Sequence, residues 1–237
     1  MLEVNNISVN YSGIQAIDSI SLKVEPGKIT AVVGSNGAGK SSLLRAISGL
    51  VNCSQGTIHF NDIKLNGHNP AKIVGYGIAH VPEGRELFPR MTVKENLLVG
   101  AHLCRDIVRV RRNMEMVCSI FPVLAAKINS DARQLSGGEQ QMLAFGRSMM
   151  SDPKLYLLDE PSIGLAPQVE ELLMNSISKI CSETGSGVLL VEQNAMVALE
   201  ISHTAYVMDL GKIIMNGKSV DLINNPAIAA AYLGMST

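Results

Sequence analysis

No stretch of this sequence is apolar for long enough to cross a bilayer. A spanning helix needs about 18–20 apolar residues in a row, and the apolar runs here are short, such as Ile29 to Val33 and Leu155 to Leu158. The N-terminus lacks a basic stretch followed by a long apolar core, so no signal peptide is expected. If such a protein serves a membrane, it does so from the surface. Charge excess is missing too. The formal net charge is −1, which gives no general drive toward nucleic acid or anionic lipid. Cys53, Cys104, Cys118 and Cys181 are scattered and form no C-x-x-C pair. That usage fits a reducing cytosol and argues against both a disulfide framework and a zinc site. The five histidines are equally dispersed, so metal binding through His is not expected. Internal repeats and low-complexity segments are also lacking.

What remains is a chain of 237 residues, 46% of them hydrophobic, enough for one large domain or one domain with an embedded subdomain. The twelve methionines read as core filling. One basic cluster stands out: Arg105, Arg109, Arg111 and Arg112. Arg105, Arg109 and Arg112 have the spacing of one helix face. A solvated face is the plain reading; a patch facing lipid headgroups or a partner is the alternative.

Extended stretches open the chain at Leu2 to Val9 and Ser19 to Val24, followed by the turn Glu25-Pro26-Gly27-Lys28. Ile29 to Val33 is a short β-branched run, expected as a buried strand. A Gly-rich loop follows, then a helix expected from Lys40 to about Leu50, with Leu43, Leu44, Ile47 and Leu50 on one face. Residues 54–65 read as β-structure around the turn Ser54-Gln55-Gly56, and Gly77 to Val81 as another strand. Thr92-Val93-Lys94-Glu95 has the form of a helix capping box, and from there to about Asp131 the chain reads as mostly helical. Beyond Leu155 to Leu158, Pro167 suits a first helical position and Gly185 a position just past a helix end. Gly187 to Val191 is a further strand, and Leu210-Gly211-Lys212 the turn of a hairpin. Alternating strand and helix predicts an α/β fold with a largely parallel sheet.

Gly34-Ser35-Asn36-Gly37-Ala38-Gly39-Lys40-Ser41 fits G-x-x-x-x-G-K-[ST]. Phosphates need many short donors, and glycines let backbone N–H groups approach them closely. The loop opens a helix, whose N-terminus favours an anion. Lys40 is expected on the β- and γ-phosphates of ATP, the Ser41 hydroxyl on Mg²⁺, and Ser42 on a more inner phosphate. Leu155 to Leu158 ends in Asp159 and Glu160. Strand ends of this kind face the crevice where ligands bind. Asp159 is expected to hold Mg²⁺, and Glu160 to polarise the water that attacks the γ-phosphate.

Leu135-Ser136-Gly137-Gly138-Glu139-Gln140-Gln141 resembles the signature sequence of ATP-binding cassette (ABC) ATPases, and Pro161-Ser162-Ile163-Gly164-Leu165 resembles that family's D-loop. The order of the three motifs separates the chain from other P-loop proteins, and the resemblance spans essentially its whole length. Ser136 and the amides of Gly137 and Gly138 stand at the start of an expected helix, Glu139 to Met150, as a second anion-binding helix end. The resemblance implies that this end meets the γ-phosphate held by the opposite subunit, so that two chains enclose two ATP molecules head to tail. It also places Tyr11 where the family stacks adenine. On residue logic alone Tyr11 is an ordinary strand-end tyrosine.

Two positions depart from the general family pattern. The usual Gln after the strand at Gly77 to Val81 is replaced by Glu83, which can ligate Mg²⁺ but repels the γ-phosphate. The usual His after Gly187 to Val191 is replaced by Gln193, which donates a hydrogen bond but cannot shuttle a proton. His203 lies ten residues later and is not its counterpart. The runs 81–89 (Val-Pro-Glu-Gly-Arg-Glu-Leu-Phe-Pro), 189–194 (Leu-Leu-Val-Glu-Gln-Asn) and 231–234 (Ala-Tyr-Leu-Gly) resemble branched-chain amino acid importers, specifically their shorter, F-type ATPase subunit. Relatives serving urea or short amides differ little in this subunit. The resemblance implies an α/β P-loop ATPase core with an antiparallel β-subdomain, residues 1–87 and 154–237, and a helical subdomain, residues 88–153, in a single cassette. It implies ATP and Mg²⁺ as ligands. The partners it implies are integral membrane permease subunits, a second ATP-binding subunit in a hetero- or homodimer, and a periplasmic or extracellular substrate-binding protein. The expected location is the cytoplasmic face of the inner (plasma) membrane, held peripherally. An exporter ATPase, or a non-transport ABC ATPase acting on nucleic acid or ribosomes, is the rival reading. The latter usually carries tandem cassettes, a coiled coil or a basic extension, whereas one cassette and no extension are expected here.

Overall fold

The computed structural model describes residues 1–225, so the terminal run 231–234 lies outside the described residues. The chain opens with a long antiparallel hairpin, β1 (Leu2–Tyr11) and β2 (Ile14–Val24). Its turn residues Ser12 and Gly13 have φ of 47° and 90°, the left-handed pair whose twist matches that of the flanking strands. β3 (Ile29–Val33) is buried at every position and runs into the Gly-rich loop and α1 (Lys40–Ile47). The helix stops short of the expected Leu50. Gly49 takes φ 74°, and Leu50 N–H turns back to Arg45 O at 2.9 Å, so a left-handed glycine closes the helix.

β4 (Gln55–Phe60) and β5 (Ile63–Lys64) come next. Their turn falls at Asn61-Asp62, not at Ser54-Gln55-Gly56 as expected, because Gln55 is already paired with Ser8 of β1. α2 (Pro70–Gly75), capped by Asn69, has no counterpart in the sequence reading. β6 (Ile78–Val81) precedes α3 (Val93–Gly100), whose capping box closes with Glu95 N–H on Thr92 Oγ1 at 3.2 Å and Thr92 N–H on Glu95 Oε2 at 2.7 Å. α4 (Ile107–Ile120), α5 (Pro122–Ala126) and α6 (Gly137–Met149) follow. The basic cluster is divided between loop and helix. Arg105 lies before α4, whose N-cap is Asp106, while Arg109 and Arg112 share Asp152 Oδ2 at 2.9 and 3.2 Å.

The last part alternates: β7 (Leu155–Asp159), α7 (Pro167–Thr184), β8 (Gly187–Glu192), α8 (Ala195–Ile201), β9 (Thr204–Asp209), β10 (Lys212–Lys218) and α9 (Ser219–Ile223). Pro167 opens α7, and Gly185 ends it with φ 70°. Among the described residues the strands form two sheets. One is antiparallel, in the order β2-β1-β4-β5; the other runs β10-β9-β3-β8-β7-β6 and is parallel except for the edge strand β10.

The parallel sheet is buried on both faces. Val32, Leu157, Leu189 and Val191 pack with α1 and the antiparallel sheet, while Ala31, Val33, Leu158 and Leu190 pack with the helices on the other side. That arrangement explains why these strands read as continuous apolar runs. Phe145 of α6 ties the helical segment to the sheet, with ring centroids 6.2 Å from Phe121 and 5.6 Å from Tyr156. In this parallel frame β3, β7 and β8 end on the same edge, which is where the site lies.

Candidate nucleotide site

The loop after β3 is shaped by its glycines. Gly39 has φ 103°, and a Cβ there would sit 2.5 Å from the Ala16 carbonyl oxygen, so only glycine fits. It is also the N-cap of α1 and offers no side-chain cap, leaving the first N–H groups of the helix for a ligand. Lys40 is buried. Its Nζ donates to Gly34 O at 2.8 Å and Ser35 O at 3.0 Å, and pairs with Glu160 Oε1 at 3.0 Å. Asn36, Gly37, Gly39, Lys40, Ser41 and Ser42 line a cleft of about 320 Å³ together with Glu83 and Glu160. Gly34, Ser35 and Ala38 lie in the same turn, with Ala38 N–H on Ser35 O at 3.2 Å.

At the end of β7, Ser41 Oγ donates to Asp159 Oδ1 at 3.0 Å. Burial pushes Asp159 up, the Ser41 bond pulls it back, and the nearby Glu160 and Glu83 carboxylates push it up again, to about 6. A cation seated there would relieve that repulsion. Among the described residues no group of three or more His, Cys, Asp or Glu side chains could hold a metal by itself. Hard oxygen donors in small number are what Mg²⁺ takes when phosphate supplies the rest, so Ser41, Asp159 and Glu83 fit that ion.

Ser136 caps α6. Its Oγ accepts from Glu139 N–H at 3.3 Å, and its own N–H donates to Glu139 Oε2 at 2.9 Å. The Ser136 O–H remains available to donate. Lys127 holds the Glu139 carboxylate at 2.7 and 2.8 Å. Gly138 packs on α7, where a Cβ would meet Val169 Cγ1 at 2.5 Å. Ser136, Gly137 and Gly138 do not line the cleft around Lys40. They present a separate helix end. Tyr11 closes β1, about a third exposed, and also lies outside that lining.

Glu160, Gln193, Ser162 and Glu192 line an adjoining cleft of about 420 Å³. Two links across this region had no sequence signal beyond residue type. Arg85 donates to Gln140 Oε1 at 3.0 Å and Gln141 Oε1 at 3.3 Å, while Arg147 donates to the carbonyls of Glu86 and Arg85 at 2.8 and 3.1 Å. The loop carrying Glu83 is thereby bonded to the helix carrying the signature residues. The other is Glu192, the last residue of β8 and the neighbour of Gln193. It is buried and accepts from Ser162 N–H at 3.0 Å.

Burial pushes Glu192 up, hydrogen bonds from Ser162 pull it back, and Glu160 and Glu170 push it up again, from 4.5 to about 7. Between those values the folded chain holds a proton that the unfolded chain releases. The resulting stability is complete below pH 4.5 and lost as pH rises through 7. Burial and the Arg45 charge lower His80 to about 4, an effect of opposite sign that cancels in a difference between variants. Relative to wild type, Glu192→Leu should gain on the order of 2–3 kcal/mol of unfolding free energy from pH 5 to pH 8. Urea titrations at a series of pH values check this, and a pH-independent gap would show that Glu192 does not titrate with folding.

A glycine-rich loop at a helix start, facing a strand that ends in two carboxylates, defines a P-loop nucleotide hydrolase. The comparisons with known proteins are narrower. The ABC transporter family matches residues 17–163. The high-affinity branched-chain amino acid transport ATP-binding protein BraG of Pseudomonas aeruginosa is 43% identical over 99% of this chain and 100% of its own length. The probable branched-chain amino acid transport ATP-binding protein LivF of Archaeoglobus fulgidus is 32% identical over 99% of both. A solved ATP-binding cassette of an ABC transporter, MJ1267 in its ADP conformation, superposes with a TM-score of 0.87 at 26% identity over 99% of both chains. The chain belongs to the ABC transporter family of ATP-binding proteins. It binds ATP and is an ATPase, and no described helix is long and apolar enough to cross a membrane.

Proposed function

We propose that this chain energises an ABC importer for branched-chain, hydrophobic amino acids from the cytoplasmic face of the membrane. It would work with permease subunits, a second ATPase subunit and a substrate-binding protein. The observation that carries the substrate class is the end-to-end 43% identity to BraG, named for branched-chain amino acid transport. The test is uptake of labelled leucine, isoleucine and valine, against urea and acetamide, in cells whose chromosomal copy carries Glu160→Gln. Loss of amide uptake with normal leucine uptake would overturn the substrate class.

In the reaction we assign to the site, the loop from Gly34 to Ser42 binds the phosphates through its N–H groups and Lys40. Ser41, Asp159 and Glu83 would hold Mg²⁺, which would neutralise charge on the phosphates. Glu160 takes the proton of the attacking water, and Gln193 donates to the γ-phosphate. Tyr11 stacks on adenine. The Ser136 O–H and the Gly137 and Gly138 amides meet the γ-phosphate of the facing cassette. Residues 88–153 act as a helical subdomain whose position reports on nucleotide through the Arg85 and Arg147 links.

Gln193 supplies a hydrogen bond and no proton. Gln193→Ala should slow turnover about 3–10-fold, the worth of one hydrogen bond, with a smaller effect on ATP affinity. Gln193→His should be tolerated. Wild-type turnover by the Ala variant in the assembled complex would remove Gln193 from the γ-phosphate.

A further inference from the structure

We propose that Glu192 is a positioning residue for hydrolysis: its buried carboxylate pins the loop from Pro161 to Leu165, and with it Glu160, to the end of β8. The proposal rests on the reading of Glu160 as the base. Glu160 itself has φ 45°, a left-handed conformation that costs a non-glycine residue energy and persists only where surrounding bonds over-determine it. The bonds that do so converge on β8. Glu160 N–H donates to Val191 O at 2.9 Å, and two residues later Ser162 N–H donates to Glu192 Oε1 at 3.0 Å. Between them Ile163 N–H returns to Glu160 O at 3.2 Å, and Leu165 N–H to Ser162 O at 3.1 Å. The turn that carries Glu160 is thus closed on itself and stapled twice to one strand end. One staple is backbone and independent of side chain; the other is Glu192 alone.

The first residue after β8 is Gln193, which lines the same cleft as Glu160, Ser162 and Glu192. Glu192 therefore joins the two elements that must hold water and γ-phosphate in register. Stability gives no reason for a carboxylate here. A buried charge beside Glu160 and Glu170 is costly, and an apolar residue of similar volume is often neutral or better. A costly group at a strained turn is the pattern expected where stability has been traded for geometry.

The experiment is single-turnover hydrolysis and fluorescent-ATP binding on the full chain, comparing wild type, Glu192→Leu, Glu192→Ala and Glu192→Gln, with Glu160→Gln as control. Leu removes the acceptor and keeps the volume; Ala removes it without a misfit, so a poorly folded Leu variant does not end the test. At pH 8, above the value of about 7 to which burial raises Glu192, loss of a hydrogen bond to a charged acceptor predicts a rate lower by roughly 10–100-fold in both, with ATP affinity changed less than about threefold. The amide oxygen of Gln still accepts from Ser162 N–H, so that variant should recover most of the rate. Wild-type rates in Leu and Ala, a parallel fall in rate and affinity, or a Gln variant as slow as Leu would each overturn the positioning role. A normal rate in Glu160→Gln would instead overturn the assignment of the base, and separates that failure from this one.

Discussion

Glu160→Gln is expected to lower ATP hydrolysis by about 10²-fold or more, the lower range for losing a general base, while ATP still binds. The substitution keeps size and hydrogen bonding but removes the charge. Lys40, Ser41 and Asp159, to which we assign the binding, are unchanged. The charge removed is also the one that pairs with Lys40 at 3.0 Å, so phosphate no longer competes with a carboxylate for that cation. Affinity for ATP should therefore stay the same or rise. Unhydrolysed ATP would then bridge Lys40 of one cassette and Ser136 of the other, and a closed dimer should accumulate with Mg-ATP, with itself or more readily with the partner ATPase. Size-exclusion chromatography with light scattering reads this out. A strictly monomeric Glu160→Gln protein in saturating ATP, with the partner present, would sink the shared-site arrangement.

Substitutions at Ser136 test the same contact from the facing cassette. Ser136→Arg would fill the space we assign to the facing γ-phosphate and should abolish the dimer. It also deletes the cap of α6, since Ser136 Oγ accepts from Glu139 N–H, which by itself costs about 1 kcal/mol. Ser136→Asp keeps a good cap and places a negative charge where the phosphate must sit. Loss of the dimer in both variants assigns the effect to phosphate contact; loss in Arg alone assigns it to the helix end.

The reading of the sequence was strongest where chemistry constrains neighbours along the chain. The loop from Gly34 to Ser41 and the pair Asp159-Glu160 are contiguous motifs, and the parallel frame brings them together with Ser41 Oγ 3.0 Å from Asp159. Caps at Thr92, Pro167 and Gly185 were legible for the same reason: each depends on residues within one helical turn. The turn expected at Ser54-Gln55-Gly56 failed because register with β1, a partner some fifty residues away in sequence, decided the pairing Ser8↔Gln55. α2 was missed because six residues carry too little periodicity. Arg85, Arg147 and Glu192 were invisible as links because their partners lie 30 or more residues away. Only the fold reveals that the Glu83 loop is bonded to α6, or that the residue before Gln193 grips the loop after Glu160.

Lys40→Ala should abolish productive ATP binding, and the structure shows why stability must be measured beside it. Lys40 Nζ is the loop's side-chain cation, held on Gly34 O and Ser35 O, with Glu160 as its carboxylate partner. Truncating a buried, hydrogen-bonded charge that meets a ligand charge costs about 2–5 kcal/mol, a weakening of roughly 30- to 5,000-fold. The same truncation strands Glu160, whose side chain is only 8% exposed. Removing one partner of a buried pair destabilises by about 3–5 kcal/mol, with solvent in the cleft pulling toward the lower figure. Lys40→Ala should therefore unfold earlier than wild type as well as bind ATP poorly, and lost binding alone would not separate the two causes. The double variant Lys40→Ala with Glu160→Gln does separate them. Removing the stranded charge should return the thermal midpoint close to wild type, while ATP affinity, titrated calorimetrically, remains as low as in Lys40→Ala. If the double variant regained ATP binding along with its stability, Lys40 would be holding the fold of the loop rather than the phosphates.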